Sequence, residues 1–264
     1  MDPTWLQTAE LVFLGVFAGG VGALTGIGGG LIVIPVLTLF FGVPIRYAIA
    51  TSLCCVIATS SGAAARYVEQ RLTDVRLGMT LELATTVGAV GGAIVAGVVR
   101  REVLAVLFAL LLIYAGSSML RQVFRPHAAV PTDLNAYRVK RLPLGLVGSG
   151  GAGIVSGMLG VGGGVIKVPL MYLVMGVPFK VATATSNFMI GVTAAASAFI
   201  YLSRGDILPL IAAPTAVGVF LGANVGAHVF RRAKSHWLVI LFSVIALYFA
   251  AMMLWKALHG GFAH

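Results

Sequence analysis

The chain has 264 residues, of which 59% are hydrophobic and 10% charged, with a net charge of +10 and a mean hydropathy of +1.01. Soluble domains carry roughly 25% charged residues, so a soluble globular chain is excluded. The basic residues fall between apolar runs, where membrane proteins carry their orientation signals, so the positive charge is not a nucleic-acid footprint.

The N-terminal stretch Met1 to Glu10 is acidic and lacks the basic start of a cleaved signal, so the first apolar run is expected to be retained. Five apolar segments follow one another at about 8–26, 30–43, 47–66, 75–99 and 102–120. Five more lie at about 143–160, 164–177, 181–203, 206–230 and 235–256. Most are free of Asp, Glu, Lys and Arg over the roughly 20 residues that a spanning helix needs. In lipid the backbone must satisfy its own hydrogen bonds, so such runs predict helices.

The two sets are copies. Residues 26–52 match residues 160–186 without a gap, with 14 of 27 positions identical. Duplication is therefore expected. Tyr67 aligns with Tyr201, and a weaker continuation aligns Gly88 and Gly92 with Gly218 and Gly222. The expected organisation is a first transmembrane repeat over 1–120, a basic cytoplasmic connection over 121–141, and a second repeat over 142–264.

The second segment of each repeat is short and contains Pro35 or Pro169, which removes a helix hydrogen bond. It follows a turn of glycines, Gly26 to Gly30 or Gly160 to Gly164, that has no polar side chain. Each repeat is thus expected to open with a helical hairpin whose turn lies at membrane depth, buried in protein or lining a cavity. If each hairpin enters and leaves on one side, three crossings follow and the repeats are inverted. Loops around 66–76, 121–141, 180 and 231–234 then hold twelve Lys and Arg, and those around 46, 100–101, 204 and 256 hold five. Counting each hairpin as one crossing gives ten and seven. The positive-inside rule favours the inverted arrangement, with both termini outside. The fold class is an all-α polytopic membrane protein of two inverted repeats.

Discontinuous helices in inverted repeats mark the substrate site of many secondary transporters. Gly28, Gly29 and Gly30, with Gly162, Gly163 and Gly164, precede short helices whose free N–H groups would suit an anion. The alternative is that they only permit close helix crossing. Lys167 stands in an apolar segment where the first copy has Val33, and an intramembrane Lys is costly and functional by default. It would neutralise an anion, snorkel to an interface, or pair with Glu82. Thr51 and Ser52, with Thr185, Ser186 and Asn187, would bond oxyanion oxygens or their own helix backbone. Glu82 is the one carboxylate away from a segment end; it is a candidate proton carrier, or else a snorkelling or Arg-paired carboxylate. Glycines spaced by four at 88–92 and 218–226 suit close helix packing within the chain, and the same spacing would serve a homodimer seam.

Cys54 and Cys55 are adjacent in an apolar run, which excludes a disulfide framework; packing is the expected role and a membrane redox component the competing one. No zinc spacing, phosphate loop or nucleophile elbow occurs, so neither an enzyme nor a metal or other cofactor is expected.

The paired G-x-G-G-G-x-x-x-x-P motifs at Gly26–Pro35 and Gly160–Pro169, each followed by G-V-P (Gly42–Pro44, Gly176–Pro178) and A-T-S (Ala50–Ser52, Ala184–Ser186), resemble the TauE/SafE sulfite-exporter-like permeases. The resemblance covers both repeats. It implies an inner-membrane carrier of a small sulfur anion, sulfite or an organosulfonate such as sulfoacetate, coupled to an ion gradient. An anion channel is the nearest competing reading.

Overall fold

The computed structural model describes residues 5–123, 137–230 and 236–259. Most of the basic connection expected over 121–141 therefore lies outside the described residues. Among the described residues there are ten α-helices: α1 (Trp5–Thr25), α2 (Gly30–Leu39), α3 (Ile45–Glu69), α4 (Val75–Val98), α5 (Arg101–Val123), α6 (Leu142–Leu159), α7 (Gly164–Pro169), α8 (Phe179–Ser203), α9 (Pro209–Phe230) and α10 (His236–Leu258). Seven of them are long and apolar enough to cross a membrane.

The short second segments behave differently. Pro35 is absorbed inside α2, whereas at Pro169 the α-helical pattern stops and a π-helical turn, Leu170–Val174, takes over. Both segments then end on the same device. Gly42 and Gly176 take φ of 65° and 71°, and the next residue bonds back into the segment, Val43 N–H to Leu37 O and Val177 N–H to Met171 O. A positive φ at these places costs glycine little. Pro44 and Pro178, in near-identical extended geometry, then start α3 and α8. Asp74 caps α4 by accepting a 2.9 Å bond from the Leu77 amide.

The helices pack through glycine. Gly218, Gly222 and Gly226 of α9 lie over the backbone of Val12, Val16 and Gly20 of α1, so close that an added Cβ would overlap it. Gly88 and Gly92 of α4 lie in the same way over Gly150 and Ile154 of α6. In both pairs the numbers rise together, so α1 runs parallel to α9 and α4 parallel to α6. The backbones approach so closely because nothing larger than hydrogen intervenes. These contacts correct the sequence alignment: Gly88 and Gly92 correspond to Gly222 and Gly226, at the same offset as Gly26 and Gly160, and not to Gly218 and Gly222. Glycines recurring every four residues let the sequences slip by one helical turn without losing a match.

At the centre α3 and α8 cross in opposite directions. Ser60 Oγ donates to the Asn187 carbonyl at 2.7 Å, while Val56 and Ile190 meet over Gly28. Two buried tyrosines tie each hairpin to its own repeat: Tyr67 donates to Ala23 O at 2.9 Å, and Tyr201 donates to Gly157 O at 3.1 Å.

Candidate functional site

The two glycine turns meet in the middle of the protein. Gly26, Gly28, Gly160, Gly162 and Gly163 all have positive φ, which an L side chain rarely adopts. The turns are held reciprocally. Ser52 Oγ donates to the Gly160 carbonyl at 2.7 Å, and Ser186 Oγ donates to the Gly26 carbonyl at 2.8 Å. Each turn is thus held by the serine that follows the other turn at the same spacing. Gly30 and Gly164 are so tightly placed that a Cβ on either would run into the opposing turn's carbonyl. Asn187 Nδ2 donates to Ala23 O and Thr183 O, both at 3.1 Å.

Thr185 points elsewhere. The Thr185 hydroxyl accepts a 3.0 Å bond from the Asp74 amide at the start of α4. The Thr51 hydroxyl is buried without a hydrogen-bond partner, as are the hydroxyls of Ser149, Ser156 and Thr183 and Oδ1 of Asn187. Buried polar atoms are almost always paired, so these five stand out.

One turn beyond Gly163, Lys167 projects into protein and is fully buried. Its Nζ donates to Glu82 Oε2 of α4 at 3.1 Å and to Thr193 Oγ1 of α8 at 2.9 Å. Thr193 in turn donates to Glu82 Oε1, and Thr86 donates to the same oxygen at 3.3 Å. Ser156 of α6 flanks the lysine stem: a Cβ on Gly163 would stand 3.3 Å from both Lys167 Cε and Ser156 Cβ. Of the three roles open to Lys167 from sequence, the structure forms the pair with Glu82 and excludes snorkelling in this conformation.

The centre is lopsided. At the repeat's constant offset, Lys167, Glu82, Ser149 and Ser156 correspond to Val33, Ala216, Gly15 and Gly22. Thr193 corresponds to Thr59, which donates to Cys55 O at 3.0 Å and accepts from the Gly29 amide at 3.4 Å. The Lys167–Glu82 pair therefore has no counterpart at the matching positions beside the first turn, which hold Val33 and Ala216. Sequence reasoning missed Thr193, Thr86, Ser149 and Ser156. The repeat offset carried a usable signal for Thr193, since Thr59 is its copy, but nothing local distinguishes it from other helix threonines.

Away from Lys167, the opposite stripe of α7 borders a cavity of about 220 Å³. Thr25, Ile27 and Gly164 bring it up to both glycine turns, and Tyr114, Ser117 and Arg121 of α5 line its other side. Cys54 is half-buried and Cys55 buried, both as free thiols. Among the described residues no group of three or more His, Cys, Asp and Glu could hold a metal ion.

Long apolar helices around a buried, ionisable centre define a polytopic membrane protein with a polar site inside it, the build expected of a membrane transporter. The chain belongs to the sulfite exporter TauE/SafE family, whose model matches residues 11–253. It is 25% identical to the probable membrane transporter protein YunE of Bacillus subtilis, over 94% of this chain and 97% of that one. It is 28% identical to YdhB, another probable membrane transporter protein of that organism, over 82% and 86%. A probable membrane transporter protein of Methanocaldococcus jannaschii is 25% identical over 92% and 94%. No solved structure matches the chain significantly.

Proposed function

We propose that this membrane transporter is a secondary carrier of a small sulfur oxyanion, sulfite or an organosulfonate such as sulfoacetate, coupled to an ion gradient. The observation that carries this reading is Lys167, a fully buried cation one turn beyond a glycine break. A lysine so placed is expensive in a membrane and earns its place by binding. The glycine turns Gly28–Gly30 and Gly162–Gly164, with Thr51, Ser52, Thr185, Ser186 and Asn187, form the substrate's surroundings as the repeats move. Lys167 neutralises the anion and Glu82 carries the coupling proton. The cavity beside Arg121 is the approach from the basic face. The second repeat holds the anion more strongly, because Val33 stands where the second has Lys167.

Inverted repeats support alternating access about this centre. Parallel α1 and α9, parallel α4 and α6, and antiparallel α3 and α8 are the directions that two oppositely oriented copies would take. The residue segments 1–120 and 142–264 are then the two repeats, in a bacterial-type inner membrane with both termini outside. Tags at both ends are expected to react with a membrane-impermeant reagent in intact cells; protection of either one would reject this orientation.

The function is tested with the purified chain in proteoliposomes. Labelled sulfite or sulfoacetate is expected to enter saturably and to exchange with unlabelled anion inside, and chloride is not. Flux without saturation would indicate a channel, and no flux of any anion would end the proposal.

A further inference from the structure

The lysine that awaits an anion already holds a carboxylate. Glu82 makes with Lys167 and Thr193 the contacts that an oxyanion would make: one oxygen on the ammonium, the other on the hydroxyl. Among the described residues, the other charged side chains of α4 and α8 are Arg76, six residues before Glu82, and Lys180, at the start of α8. α6 has no Asp, Glu, Lys or Arg between Leu142 and Leu159 and offers Ser149 and Ser156; α8 has none between Val181 and Ser203 and offers Thr193; α4 itself adds Thr85 and Thr86. The buried centre therefore contains one positive and one negative group and is neutral.

Resting on the proposed carrier function, we infer that Glu82 is a tethered stand-in for the substrate, displaced from Lys167 by one proton for every monoanion bound. The charges balance on both sides of the exchange. Before it, a carboxylate faces an ammonium. After it, the carboxylate oxygen has formed an O–H bond with a proton from water, and the ammonium faces the anion, so the sum stays at zero. An anion arriving without the proton would leave an unneutralised negative charge in a buried site, which low-dielectric surroundings penalise heavily. A proton arriving alone would leave Lys167 unneutralised.

Thr193 takes part in the exchange. A hydroxyl donates one hydrogen bond, and Thr193 now spends it on Glu82. A protonated Glu82 supplies its own donor, and the Thr193 hydrogen is free to turn to an oxygen of the anion. Thr193 is thus a positioning residue whose single donor passes from Glu82 to the arriving anion. The cargo is one proton with one monoanion, and the cycle moves no net charge.

The test uses the full-length chain in proteoliposomes at mildly acidic pH with labelled methanesulfonate and bisulfite, both monoanions there, taking whichever enters saturably and subtracting entry into protein-free liposomes. Two driving forces are compared: an inside-alkaline pH gradient and an imposed membrane potential. For a monoanion, a gradient of about one pH unit is expected to give about tenfold accumulation, and the potential alone none. Glu82→Gln is expected to lose the pH-driven accumulation while losing far less of its anion exchange. Thr193→Val is expected to raise the anion concentration needed for half-maximal exchange. Accumulation driven by potential as strongly as by the pH gradient would overturn the inference, as would undiminished pH-driven accumulation in Glu82→Gln. Should Glu82→Gln fail to insert, the comparison of driving forces in the unaltered protein decides alone. If no anion enters the unaltered protein saturably, the carrier function fails before its coupling is reached.

Discussion

Lys167→Met is expected to abolish saturable anion uptake and to destabilise the protein by about 3–5 kcal/mol, the usual cost of breaking a buried ion pair on one side. Methionine keeps the unbranched stem that passes Ser156 but leaves Glu82 with no cation. The double variant Lys167→Met/Glu82→Gln removes both charges, and replacing a whole buried pair is often near neutral. Its thermal unfolding in detergent should therefore return close to that of the unaltered protein, while uptake stays absent. That split separates the two roles of the lysine. A structural lysine would let transport return with stability. Uptake by the double variant at the unaltered level would remove Lys167 from the substrate's path.

Gly164→Ala should produce the other large effect, by sterics alone. An ideal Cβ there would overlap the Gly26 carbonyl oxygen and stand 2.8 Å from Ile27 Cα, both backbone atoms with little room to retreat. Gly164 has no positive φ, so the strain comes from the neighbour and not from its own backbone. Overpacking a tight interior costs about 1–3 kcal/mol, and here the yielding element is the opposing turn. Stability and uptake should fall together. Gly151→Ala is the control: it lies in α6 with nothing within 4 Å of the added methyl, and should leave both unchanged or slightly raise stability through helix propensity. Equal behaviour of the two variants in a thermal-unfolding assay would show that the turns do not need their contact.

Legibility from sequence differed from residue to residue. The short second segments were readable because Pro35, Pro169 and the flanking glycines are local signals. Their different outcomes, a continuous α2 and a π-turn after α7, were not, since the same proline is accommodated according to what packs beside it. Ser52 and Ser186 could be singled out as buried hydroxyls at the turns, but their partners, each other's turn carbonyls, lie 108 and 160 residues away. Thr185 was grouped with them by position and instead faces the Asp74 amide, because adjacent helix residues point about 100° apart.

By itself the sequence determined the membrane class, the ten segments, the duplication and the one lysine placed where lipid would penalise it. Those properties follow from the hydrocarbon solvent, which demands long apolar helices and makes any buried charge conspicuous. The tertiary structure alone decided that Lys167 meets Glu82 across 85 residues, that Thr193 joins them, and which glycine lies over which backbone. In an apolar solvent both faces of a helix are greasy, so hydrophobic patterning does not report rotation. What turns a helix face toward its partner is close packing over glycine and the pairing of rare polar groups, and neither exists until the helices are side by side.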